Sequence, residues 1–133
     1  MEKLERRIKE TDKALITLGQ ILEQPYSVIV RDAAIQRFEY TFEAFWKLLR
    51  EYLREYEGVI SSSPKSCFRE ALSAGLIDEE QTMTCLEMTD DRNLTSHTYI
   101  EEVAEQIYGR LKDYHKLMDD ILNFIKSKFE GQE

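Results

Sequence analysis

The feature that most constrains this chain is how rarely its helical periodicity is interrupted. Apolar residues return every three or four positions, and the clear punctuation is confined to Pro25, Gly58, Pro64 and Gly75. Leu4, Ile8, Leu15, Leu18 and Leu22 step by fours, threes and one seven, with Thr11 in the gap. That spacing predicts a helix over roughly 2–24. "QPYS" at 24–27 breaks it. Ile35, Phe38, Phe42, Phe45, Leu49 and Tyr52 then define a second helix over roughly 28–57, and Trp46 and Leu53 widen its stripe, as befits a central element. Gly58 fits the position after a helix end, and Ser63-Pro64 reads as an N-cap followed by proline at the first helical position. A short helix over roughly 64–74 stops at Gly75, and Asp78 with Gln81 forms a capping box that opens another short one. Ile100, Ala104, Ile107, Leu111, Tyr114, Met118, Ile121 and Ile125 trace the seam of a last long helix. No segment alternates with period two. The expectation is an all-α antiparallel helical bundle of three long and two short helices, one domain over residues 1–133.

Composition narrows the class. The 133 residues are 42% hydrophobic and 33% charged, so the chain buries a core and is not disordered. No apolar run approaches the roughly 20 residues of a membrane span, and "MEKLERRIKE" lacks the apolar centre of a secretory signal. A cytoplasmic protein without membrane contact is expected. The net charge of −8 argues against a general nucleic-acid coat, because such binding rests on neutralising phosphates, but leaves room for a local basic cleft. Cys67 and Cys85 are too few and too far apart for a zinc site and read as buried small hydrophobes. His115 has no partner at ligand spacing and reads as a surface or packing residue. Neither a metal nor a cofactor is called for. Helices of some 30 residues, roughly 45 Å long at 1.5 Å per residue, leave apolar surface that a second copy could cover, so a homodimer is expected, with intramolecular core as the equal alternative for these seams. Gly19 and Gly109 lie inside helices, either to permit close helix contact or on open faces, and the sequence does not choose.

One stretch departs from the pattern. "DDRNLTSHTYIEE", residues 90–102, places Arg92, His97 and Tyr99 within eight positions among small hydroxyl side chains. On one continuous helix Arg92 and His97 would lie about 140° apart and could not converge. A break resolves this: Thr98 with Glu101 matches a T-x-x-E capping box, which makes Thr98 the N-cap and Tyr99 the first residue of the last helix. Guanidinium, imidazole, phenol and a helix N-terminus then face one point, an arrangement suited to a phosphodiester. The alternative is a polar connector in which Arg92 pairs with Asp90 or Asp91.

"RNLTSHTY" is an Arg-x4-His-x-Tyr pattern and resembles the signature of the HEPN superfamily. "RDAAIQRFEYTFEAFWKLL", residues 31–49, resembles the second-helix signature of the nucleotidyltransferase substrate-binding protein family, a HepT-like branch of that superfamily. The resemblance covers nearly the whole chain. It implies a dimeric helical bundle that partners a minimal nucleotidyltransferase of the polymerase β type in a toxin–antitoxin-like pair. It further implies Arg92 as the phosphate-holding residue, His97 as acid–base catalyst in metal-independent RNA cleavage, and Tyr99 as acceptor of AMP. Asn93 would orient a phosphate oxygen or Arg92.

Cleavage without metal uses the ribose 2′-OH as nucleophile and needs a base for its proton and an acid for the leaving oxygen. One chain supplies one suitable histidine, and two copies sharing a cleft would supply two. On the second helix, Gln36, Tyr40, Glu43 and Lys47 step by four, three and four, and read either as a cleft or partner face or as a solvated surface. Three functions follow: a ribonuclease held in check by its partner, a non-catalytic subunit that binds nucleotide or accepts AMP, and a helical interaction module without chemistry.

Overall fold

The structure, a computed structural model, describes residues 1–132. Five helices follow one another: α1 (Glu2–Leu22), α2 (Val28–Glu57), α3 (Pro64–Ser73), α4 (Glu79–Leu94) and α5 (Glu101–Gln132), with a 3₁₀ turn at Thr95–His97 between the last two. Among the described residues there is no strand, and no helix is long and apolar enough to cross a membrane.

Local chemistry sets most of the boundaries. The Ser27 hydroxyl accepts the Val30 N–H at 3.0 Å and opens α2, which Gly58 closes in the left-handed region at φ 66°. Ser63 caps α3 ahead of Pro64. Asp78 and Gln81 complete the expected capping box, with bonds of 2.7 and 3.0 Å, because each satisfies a backbone N–H that the other leaves free. The α4 helix is longer than expected. It runs 16 residues, and Arg92 lies within its last turn.

The three long helices contact one another along their lengths, and α3 and α4 close the side of the bundle. Helix α2 is central: Phe38, Phe45, Leu48, Leu49 and Leu53 are fully enclosed. Phe38 stacks on Tyr114 of α5 at 5.7 Å, and Phe68 of α3 meets the Phe42 and Phe45 rings. The gap that Thr11 fills is a polar tie. Its hydroxyl lies 2.8 Å from its own helix's Arg7 carbonyl and 3.2 Å from the Ala44 carbonyl of α2, and Thr41 repeats this toward Arg37 and Ala14. A small hydroxyl whose proton is shared locally leaves no stranded donor between two helices.

Burial drives both cysteine thiols up to about 12, as expected of inert core residues. The α5 seam is buried from Ala104 to Ile125, but Ile100, expected to begin it, precedes the helix and is exposed.

The two interior glycines part company. A Cβ on Gly109 would meet open space, whereas one on Gly19 would lie 3.0 Å from Nε2 of His115, which hydrogen-bonds the Leu15 carbonyl of α1 at 2.9 Å. His115 is therefore a packing residue of the α1–α5 contact. Alanine at Gly19 is expected to gain about 1 kcal/mol from helix propensity in a His115→Ala background and much less in the wild type. A double-mutant cycle by urea denaturation measures the difference, and equal gains would remove the contact.

Candidate functional site

The arrangement around the polar stretch begins with helical rotation. Asp91 and Glu87, one turn apart on α4, face α5: Asp91 accepts two bonds of 2.9 Å from Arg110 and one of 2.5 Å from the Tyr114 hydroxyl, which also lies 2.9 Å from Glu87. The pairings of 87 with 114 and 91 with 110 share one antiparallel register, so they fix how α4 folds back on α5. Arg92, turned about 100° from Asp91, faces α2 instead. Its Nη1 lies 3.3 Å from Glu39 and donates to the Thr95 hydroxyl at 3.0 Å, while that hydroxyl donates to the Arg92 carbonyl at 2.7 Å. Its Nε is 3.8 Å from Glu43, an ion-pair separation too long for a hydrogen bond, so this buried N–H has no hydrogen-bond acceptor among the described residues. Arg92 is 29% exposed and flanked by two carboxylates. It pairs with neither neighbour in sequence: Asp90 goes to Lys65 at 2.6 Å and Asp91 to α5.

His97 closes the 3₁₀ turn on the surface. Its Nδ1 is 3.3 Å from the hydroxyl of Tyr99, which is 78% exposed, and the two rings meet edge to face at 5.8 Å. Asn93 is exposed, and its carbonyl accepts from Ser96. The structure thus brings His97 to Tyr99 and Arg92 to Glu43. Among the described residues no hydrogen bond or ion pair joins Arg92 to His97.

The capping box expected at Thr98 is absent. Thr98 is in the right-handed helical region (φ −73°, ψ −5°), and its hydroxyl donates back to the Thr95 carbonyl at 3.2 Å. Helix α5 begins at Glu101, with the Ile100 carbonyl accepting the Ala104 N–H, two residues later than the spacing suggested. The reason is a stronger partner for Glu101. Its carboxylate takes Nη1 of Arg31 at 2.7 Å and approaches Nη2 at 3.4 Å, and a charge-assisted bond outcompetes a cap to a neutral N–H.

Arg31 is only 2% exposed, yet it also bonds Glu105 at 2.8 Å and Asp32 at 3.0 Å, and Glu105 accepts the Tyr26 hydroxyl. Arg31 holds the Glu101 carboxyl below its ordinary 4.5, and Tyr26 together with Arg31 does the same for Glu105.

Of the α2 face expected to line a cleft, Glu43 reaches Arg92 and takes the Trp46 indole N–H at 3.1 Å, whereas Tyr40 turns to Thr17 of α1 at 2.6 Å. Gln36 is exposed and Lys47 half-buried. Sequence reasoning missed Glu39, whose only signal is its place one turn before Glu43, and gave Arg31 no role. Among the described residues no group of three or more histidine, cysteine, aspartate or glutamate side chains is arranged to hold a metal.

With the geometry known, comparison with other proteins decides the family. The model of "Nucleotidyltransferase substrate binding protein like" chains matches residues 6–127. The chain belongs to that family. The chain shares 51% identity with a crystallised protein from Thermus thermophilus, at a TM-score of 0.83 over 85% of this chain and 96% of that one. A probable ribonuclease HepT of Haemophilus influenzae is 33% identical over 85 residues, which are 61% of this chain and 57% of that relative. A tri-AMPylated HEPN toxin of Shewanella oneidensis, solved in complex with the MNT antitoxin, shares the fold at a TM-score of 0.74 and 16% identity, covering 93% of this chain and 96% of that one. The all-α bundle anticipated from periodicity is this family's fold.

Proposed function

We propose that this chain is the HEPN-type partner of a minimal nucleotidyltransferase in a toxin–antitoxin pair, and that its reactive centre is the His97–Tyr99 couple beside Arg92. The observation that carries the reading is the exposed phenol with an imidazole nitrogen 3.3 Å from its oxygen. In that geometry His97 takes the phenolic proton while the Tyr99 oxygen attacks the α-phosphorus of ATP. The bond to pyrophosphate breaks, and AMP remains on the tyrosine. The AMPylated toxin of the same fold supports this chemistry in a relative.

The same side chains suit metal-independent RNA cleavage, and the name of the Haemophilus relative is that of a probable ribonuclease. The ribose 2′-oxygen attacks the adjacent phosphorus, the 5′-oxygen leaves, and a 2′,3′-cyclic phosphate forms. His97 serves as acid or base, and Arg92 balances the charge on the phosphorus oxygens. Two proton transfers call for two histidines, so a dimer that joins two copies of the loop completes the set. The Glu39 and Glu43 carboxylates compete with a phosphate for Arg92, so a free chain binds RNA less readily than one whose ion pair has opened.

His97→Ala is expected to slow cleavage of single-stranded RNA in EDTA by about 100-fold or more. Incubation with the nucleotidyltransferase and ATP should give an AMP adduct that Tyr99→Phe abolishes, read by intact mass. Cleavage equal in wild type and His97→Ala overturns the ribonuclease reading. An adduct that persists in Tyr99→Phe moves the acceptor elsewhere.

A further inference from the structure

The loop that carries His97 and Tyr99 does not hold itself against the bundle. Among the described residues, every side-chain hydrogen bond from Thr95 to Tyr99 stays within positions 92–99: Thr95 with Arg92, Ser96 with Asn93, Thr98 with Thr95, and His97 with Tyr99. Beyond the burial of Thr95, polar contacts therefore fix its place only through its two ends. The α4 end is held through Arg92 by Glu39 and Glu43, and the α5 end through Glu101 by Arg31. All three holding residues belong to α2. Arg31 and Glu39 are eight residues apart on that helix, about 12 Å along its axis. Beside the Asp91 tie between α4 and α5, one rigid element thus spaces both ends of the loop, through ion pairs of opposite polarity.

Of these contacts, the one at Arg31 is built most deeply. The guanidinium is almost wholly enclosed and bonded to three carboxylates, while Glu101 itself is 72% exposed. Burying so large a charged group is costly unless it is fully paired, and a surface pair alone would contribute little to stability. Glu101 is the first residue of α5, and the reactive Tyr99 lies two positions before it. We propose that Arg31 is a positioning residue for the His97–Tyr99 couple, acting through Glu101 to fix where the chain leaves the loop. Its bearing on catalysis rests on the function proposed above, but its bearing on loop geometry does not.

Glu101→Ala tests this, with Glu102→Ala as control, because the control removes the same charge from the first turn of α5 but no bond to Arg31. Both glutamates are exposed, so both variants are expected to fold, with melting temperatures within about 5 °C of wild type. The nuclear Overhauser contact between the His97 and Tyr99 rings should be present in wild type and in Glu102→Ala and weakened at least twofold in Glu101→Ala. Arg31→Lys, a point charge without the guanidinium fork, should fall between. In AMP transfer or RNA cleavage, Glu101→Ala should lower kcat about tenfold or more at little-changed KM. A ring contact unchanged in Glu101→Ala, or weakened equally in Glu102→Ala, overturns the proposal. If wild type neither accepts AMP nor cleaves RNA, the functional reading fails by itself, and the ring contact still decides the role of Arg31.

Discussion

Replacing Phe38 with alanine is expected to lower the free energy of unfolding by about 3–5 kcal/mol, a large share of the roughly 5–15 kcal/mol that holds such a domain together. The ring is fully enclosed, stacked on Tyr114 and tilted against Phe42. Truncation removes its contacts with both and leaves a cavity at the meeting of α2 and α5. Little can collapse into that space, since the Tyr114 ring is itself held in place by its hydroxyl on Glu87 and Asp91 of α4. Urea denaturation checks the figure: the midpoint should fall with the slope unchanged. A loss under about 1.5 kcal/mol would mean that the site relaxes and that the central place given to α2 is overstated.

Asp91→Ala is expected to cost about 2–3 kcal/mol, between the small contribution of an exposed ion pair and the larger cost of breaking a buried one. The carboxylate is buried, but Arg110 is 42% exposed and can turn to water, and the Tyr114 hydroxyl keeps Glu87. A cost in that range should depress the melting temperature by about 10 °C in a chain of this size. In a cycle with Arg110→Ala, the coupling should account for at least half of the Asp91 effect. A cost under about 0.5 kcal/mol, or no coupling, would show that the α4–α5 register is set by apolar packing alone.

The sequence made the helices legible because their signals are local. Apolar residues on one stripe must be buried, and Ser63 and Asp78 each bond an N–H group only three positions away. What it hid depends on distant partners. The T-x-x-E pattern at Thr98 is a genuine local preference, but it lost to Arg31, 70 residues earlier in the chain. Gly19 could not be interpreted because its reason is His115, on another helix. Arg92 was singled out by its motif, yet its direction follows from α4 continuing unbroken through Asp91, which turns the guanidinium toward Glu39 and Glu43. The motif pointed to the candidate side chains, whereas the rigid frame around them was visible only in three dimensions.

The inward-looking hydrogen bonds of the loop have a practical consequence for anyone who assays this protein. The groups of the proposed AMP-acceptor site are almost uncoupled from the apolar core that defines the folded state. Tyr99 projects into solvent and contributes nothing to the apolar core, so a substituent on its oxygen displaces no buried side chain. A thermal melt or a circular dichroism spectrum would read alike for the bare and the modified chain. Only a mass measurement, or a probe on the ring itself, reports which form is in the tube.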